Sequence, residues 1–175
     1  WKDSVSLWSD AIKNHPSLAM FYIKRANAYL EENNFNAAIA DYNRALELNP
    51  LYVEAYYNRG IAFSQQGDFD KALSDYSRAI ALDPNFAACY VNRAVIYLRM
   101  NYIDKAILDC DIAIRVNPCL AQAFFYRGNG YSQKRDYDKA IADYSRAIAL
   151  NNGYTDAYHN REVSYFLKKG GREIR

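Results

Sequence analysis

Apolar side chains return every three or four positions along the whole chain, in stretches separated by short polar breaks. That period puts them on one face of an α-helix, and no stretch keeps the period-two alternation of a half-buried strand. Val5, Trp8 and Ala11-Ile12 predict a first helix, stopped at Asn14-His15-Pro16. Tyr22, Ala26 and Tyr29 predict a second, broken at Asn33-Asn34, and Phe35, Ala38, Tyr42 and Ala45 a third, closed at Asn49-Pro50. The two stripes then recur. Tyr56, Gly60 and Phe63 lead through Gly67-Asp68 to Phe69, Ala72, Tyr76 and Ala79-Ile80, closed by Asp83-Pro84. Tyr90, Ala94 and Tyr97 lead through Asn101-Tyr102 to Ile103, Ala106, Cys110 and Ala113, closed by Asn117-Pro118. Phe124, Gly128 and Tyr131 are followed by Tyr137, Ala140, Tyr144 and Ala147. Tyr158 and Tyr165 mark one more helix, which Gly170-Gly171 is expected to end, leaving a frayed tail.

The recurrence is strict. Tyr56-Tyr57-Asn58-Arg59-Gly60 has counterparts in Tyr22 to Ala26, Tyr90 to Ala94, Phe124 to Gly128 and Tyr158 to Glu162, each displaced by 34 residues with no insertion. A fixed period of this length signals an array of helix pairs, each of which needs neighbours to cover its apolar faces. The expected organisation is the second helix of a truncated repeat in 1–18, full repeats in 19–52, 53–86, 87–120 and 121–154, and in 155–175 the first helix of a further repeat plus tail. Asp68 is placed as an N-cap whose carboxylate accepts a free backbone N–H. Proline disfavours helical geometry in the residue before it and so closes three of the repeats. The fourth closes on Asn151-Asn152-Gly153, where Gly153 is expected to end the helix in the left-handed conformation. Gly60 or Ala26 is expected to face Ala72 or Ala38, small against small, so that the paired helices approach closely.

These positions resemble the tetratricopeptide repeat: an aromatic, then Gly or Ala, then Tyr on the first helix, and Ala, an aromatic, Ala and a closing Pro on the second. Tyr56, Gly60, Phe63, Ala72, Tyr76, Ala79 and Pro84 carry the pattern most fully. The resemblance implies an all-α fold, a right-handed α-solenoid superhelix of antiparallel helix pairs whose concave groove is lined by first helices. One departure stands out. The family often has Leu before the Gly or Ala, where this chain has Arg25, Arg59, Arg93, Arg127 and Arg161, with Asp41, Asp75, Asp109 and Asp143 in register on the second helices. Two readings follow: a ladder of Arg–carboxylate pairs, for which the planar guanidinium is suited, or a basic stripe for acidic ligands.

The same resemblance places a partner-binding groove on Asn27, Tyr57, Asn58, Val91, Asn92, Phe125, Tyr126, Asn129, His159 and Asn160. Val95, Leu98, Arg99, Ser132, Gln133 and Val163 lie a turn or so along the same helices. An Asn side chain offers a donor and an acceptor and can pair with any peptide backbone; equally, it can bridge helices within the array. Chaperone-binding members hold a terminal carboxylate with two Lys, two Asn and a further cation. The matching positions here are Ile23, Asn27, Asn58, Ala88 and Asn92, so both Asn stand and every cation is lost. A chaperone C-terminal carboxylate clamp is not expected.

Composition narrows the function classes. Hydrophobic residues make up 51% of the 175, enough for a sizeable core, and the net charge of +2 gives no basic surfeit for nucleic acid. No apolar run reaches membrane-spanning length. No secretory leader is recognisable, and without an initiator Met the chain reads as a piece of a longer protein. Cys89, Cys110 and Cys119 form no CxxC and are an odd number, which fits neither a zinc site nor a disulfide framework. Small buried side chains in a reducing, cytoplasmic setting are expected instead. His15 and His159 lie at opposite ends, and no GxSxG, GxxxxGK or HExxH run occurs. No catalytic group, cofactor or metal is expected. The readings that remain are a protein-interaction scaffold, a substrate-guiding arm of a larger enzyme such as a glycosyltransferase, and self-association through the uncovered faces at the two ends of the array.

Overall fold

The computed structural model describes residues 4–170. The tail after Gly170, expected to fray, lies outside the described residues. Within them are ten α-helices and no strands: α1 (Ser4–Asn14), α2 (Ala19–Glu31), α3 (Phe35–Leu48), α4 (Val53–Gln65), α5 (Phe69–Leu82), α6 (Ala87–Arg99), α7 (Ile103–Val116), α8 (Ala121–Gln133), α9 (Tyr137–Leu150) and α10 (Thr155–Lys168). The fold is the all-α array of helix pairs that the 34-residue period requires. The chain divides into two compact units, Trp1–Pro84 and Asn85–Arg175. In the first, α2 pairs with α3 and α4 with α5, while α1 packs on α2 and α3 on α4. In the second, α6 pairs with α7 and α8 with α9, α7 packs on α8, and α10 on α9.

Local chemistry explains the breaks. The turn inside each pair needs one residue at positive φ: Asn33 (58°), Gly67 (81°), Asn101 (62°) and Arg135 (61°). Asn and Gly adopt this readily, whereas an Arg gives up about 1 kcal/mol to do so. The Asn34, Asp68 and Asp136 side chains then accept from the backbone N–H three residues on, capping α3, α5 and α9. Tyr102 makes no such bond before α7.

The far ends are also side-chain controlled. Asn49, Asn117 and Asn151 are extended at the C-caps of α3, α7 and α9. Each Oδ1 accepts from the backbone N–H two residues on, at 3.0, 3.1 and 3.1 Å. This corrects the expectation for Gly153, which is not at positive φ; Asn151 ends α9 by the same bond that works where a proline follows.

The core of each unit is built mainly of Ala and aromatic side chains. Tyr42, Tyr76 and Tyr144 are fully buried, among Ala residues with no exposed surface. A Cβ built on Gly60 would stand 2.7 Å from Cε1 of Tyr76, and one on Gly128 2.8 Å from Cε1 of Tyr144. The close approach is therefore between glycine and a tyrosine ring rather than between two small residues. Cys89 and Cys110 are buried as expected; Cys119, in the turn after α7, is exposed.

The Arg–Asp register forms a ladder. Arg25, Arg59, Arg93 and Arg127 grip Asp41, Asp75, Asp109 and Asp143 with Nε and Nη2 at 2.7–2.8 Å. Arg25, Arg59 and Arg127 also reach back to the preceding second helix through Nη1, to Ser9, Asn43 and Asp111. The bonds to Asp143 push the Arg127 guanidinium above its ordinary pKa, so it stays charged. These guanidinium groups are spent inside the fold, which removes the reading as a basic stripe. Arg161 is the exception: its Nε is buried with no partner among the described residues.

Candidate functional site

Three first-type helices of the second unit, α6, α8 and α10, line a cleft of about 500 Å³. Volumes of this order suit a peptide side chain or small ligand. Val95, Leu98 and Val163 give it apolar walls, while Tyr126, Asn129, Ser132, Gln133 and Asn160 supply polar groups and Arg99 a positive charge.

One hydrogen-bonded node organises it. Asn129 Oδ1 accepts from the Tyr144 hydroxyl at 2.8 Å and from Asn160 Nδ2 at 3.0 Å. Three helices, α8, α9 and α10, are thereby tied at one oxygen. Both lone pairs of Asn129 Oδ1 are used, and no protein acceptor among the described residues takes its Nδ2. Asn160 has the complementary state, its Nδ2 spent and its Oδ1 without a donor among the described residues. The cleft thus presents an amide donor and an amide acceptor, held in place by bonds behind them. Burial raises the Tyr144 hydroxyl to about 12, and it raises Tyr126 as well. Both remain neutral phenols under ordinary conditions.

The first unit repeats the node. Asn27 Oδ1 accepts from the Tyr42 hydroxyl at 2.6 Å and from Asn58 Nδ2 at 3.1 Å. Here the remaining donor is used, since Asn27 Nδ2 binds Glu54 at 3.1 Å. The in-phase residue in the second unit is Asp156, and Asn129 makes no such bond to it.

Of the ten residues expected in the groove, Tyr126, Asn129 and Asn160 share this cleft. Asn27 and Asn58 meet each other in the first unit. Tyr57 is half-buried on α4, its ring centroid 6.1 Å from that of Tyr76. Asn92 is half-buried on α6 and His159 exposed on α10; neither lines the cleft. Val91 and Phe125 are corrections. Val91 is 2% and Phe125 7% exposed, and Phe125 packs on Tyr144 and Tyr154 at centroid distances of 5.9 and 4.7 Å. Both belong to the core, where the helix rotation turns that position inward, and a partner cannot reach them.

Tyr144 was missed as a lining residue because its place on the second-helix stripe marks it as core. The available signal was the pairing of this Tyr with an Asn fifteen residues earlier, which occurs at Tyr42 and Tyr144 alike. Among the described residues no group of three or more His, Cys, Asp and Glu is placed to hold a metal ion. No helix there is long and apolar enough to cross a membrane.

Comparison with known proteins gives consistent matches. Family models described as tetratricopeptide repeat match residues 53–86 and 121–154, and another of that description matches 87–118; one described as TPR repeat matches 26–67. Among solved structures, the crystal structure of MamA is similar with a TM-score of 0.79 at 24% identity, covering 87% of this chain and 89% of that one. YrrB, described as a TPR protein with an unusual peptide-binding site, gives 0.78 at 22% identity over 95% of this chain and 85% of its own. The first TPR of Spaghetti (RPAP3), bound to the HSP90 peptide SRMEEVD, gives 0.66 at 23% identity over 67% of this chain and 93% of its own.

Proposed function

Because the chain belongs to the tetratricopeptide repeat family, we propose that it is a non-catalytic scaffold whose second unit binds an extended segment of a partner protein in the α6–α8–α10 cleft. The observation that carries this reading is the Asn129–Asn160 pair. It offers one open donor and one open acceptor, the complement of a peptide group, beside the apolar wall of Val95, Leu98 and Val163. Backbone pairing through Asn is indifferent to side-chain identity; the wall adds a preference for an apolar residue next to the gripped peptide group. Peptide binding by YrrB and by the Spaghetti domain supports the class of ligand. The ligand here differs from a carboxylate tail, since Ile23, Ala88 and Asn92 stand where the chaperone clamp has its cations.

A photo-reactive residue at Gln133, on the cleft, and another at Leu108, exposed on α7, test the proposal. Cross-links at 133 and not at 108, mapping to one short unstructured partner segment, are expected. Equal labelling at both sites would overturn it.

A further inference from the structure

Charge is unevenly placed along the cleft. One row of the 34-residue register reads Glu31, Gln65, Arg99, Gln133 and Leu167, so a cation stands there only in the repeat that supplies α6. Arg99 is the last residue of α6 and is exposed. Among the described residues that line the cleft, it alone carries a charge. Leu98 of the apolar wall precedes it, and the Gln133 amide is its counterpart on α8. The first unit is built differently. Ser64 and Gln65 stand in register with Leu98 and Arg99, and Glu54 already takes the Asn27 donor.

The nearest acidic group along this face sets a direction. Asp156 is the second residue of α10, one turn before Asn160 on the same side of the helix. First-type helices repeat in the same sense, so Arg99 and Asp156 stand at opposite ends of them. Tyr126 senses both charges. Burial raises its pKa, Arg99 opposes that rise and Asp156 adds to it.

We infer, on the reading of the cleft as a peptide site, that the bound segment carries an internal Asp or Glu whose carboxylate seats against Arg99 and the Gln133 amide, beside an apolar residue that covers Leu98. A guanidinium makes charge-assisted bonds to a carboxylate, and the amide adds a neutral donor. A basic residue at the same place meets like charge and is steered to the Asp156 end, so the segment lies in one direction. Leu98 and Arg99 are neighbours, and an extended chain rises about 3.3 Å per residue, so acid and apolar residue lie within about three positions of each other. The carboxylate is a side chain and not a chain terminus, because Arg99 lies about two turns beyond Asn92, the clamp position on α6. Being exposed, Arg99 adds a modest, salt-screened attraction. It decides which segment binds, and which way round, more than how tightly.

The test is a random dodecapeptide library displayed on phage and panned at low salt on the 175-residue chain. Selected sequences are made as N-acetylated, C-amidated peptides, which have no terminal carboxylate, and titrated by fluorescence anisotropy. Peptides with Asp or Glu close to an apolar residue are expected, and exchanging that acid for Lys should weaken binding at least about fivefold. Arg99→Glu is expected to reverse the preference, so that the Lys peptide binds the better of the two. Arg99→Gln, the residue at two other places in the row, should abolish the preference and stands in if the reversal loses helicity by circular dichroism. Asn160→Ala shows which peptides occupy the cleft, because it weakens those alone. Cleft peptides with no preference for an acid, or with a preference that Arg99→Glu and Arg99→Gln leave unchanged, overturn the inference while the cleft remains a peptide site. Peptides that bind Asn160→Ala as well as the parent, or no selected peptides at all, overturn both.

Discussion

Gly60 lies against the ring of Tyr76 so closely that an added methyl would stand 2.7 Å from Cε1. This contact sets the spacing of α4 and α5. Gly60→Leu is expected to cost roughly 1–3 kcal/mol by overpacking, read as a lowered midpoint in urea. Gly60→Ala should cost less, because Ala26 already occupies the matching place beside Tyr42 in the first pair. A leucine variant as stable as the parent would contradict this packing.

The Arg–Asp ladder predicts a contrast within one residue type. Arg127→Met strands the buried carboxylate of Asp143 and is expected to lose about 3–5 kcal/mol. Arg161→Met strands no carboxylate on a second helix among the described residues and should lose less than about 1 kcal/mol. Denaturant titration of the two variants at low protein concentration checks the difference.

Alkaline pH should act through Tyr144. Its folded-state pKa lies at about 12, above the ordinary 10.0, because burial disfavours the phenolate. A raised folded value means that the stabilisation is fully present below pH 10 and is lost as the pH rises from 10 towards 12. Tyr144→Phe is expected to lessen the slope of stability across that window, with buried Tyr42, Tyr126 and Tyr154 retaining their share, measured by urea unfolding at a series of pH values.

The cleft node predicts separable effects. Asn160→Ala removes the bond to Asn129 but leaves Asn129 Oδ1 its partner in Tyr144. A stability loss of about 0.5–1.5 kcal/mol is expected, together with weakened capture of the segment cross-linked at Gln133. Val163→Glu, which adds a charge to the apolar wall at a position that is 40% exposed, should weaken capture with little change in thermal midpoint. Unaltered capture by both variants would place the ligand elsewhere.

The helices and their pairing were legible because hydrophobic period and turn chemistry agree at almost every break. Asp68 as an N-cap and the Arg–Asp register could be read directly, since both need only spacing. Gly153 misled because the mere presence of a glycine does not fix its φ; the Asn at the C-cap had already ended the helix. The site was less legible. Phe125 sits one position before Tyr126, and a helical step of 100° decides between core and cleft; Val91 takes the same inward place on α6. The role of Tyr144 depended on its hydroxyl, which an apolar stripe does not reveal. The asparagines turned out to bridge helices, and in the second unit the same bonds leave a donor and an acceptor open.

The reach of Arg25, Arg59 and Arg127 to the preceding helix as well as to their own partner has a bearing on how the array opens. A unit riveted in this way cannot lose one helix without loosening the bonds of the next, so local unfolding spreads in steps of a helix pair. α10 has no such rivet: Arg161 bonds neither a following carboxylate nor α9 among the described residues. Amide hydrogens of α10 are therefore expected to be the first to exchange in the second unit.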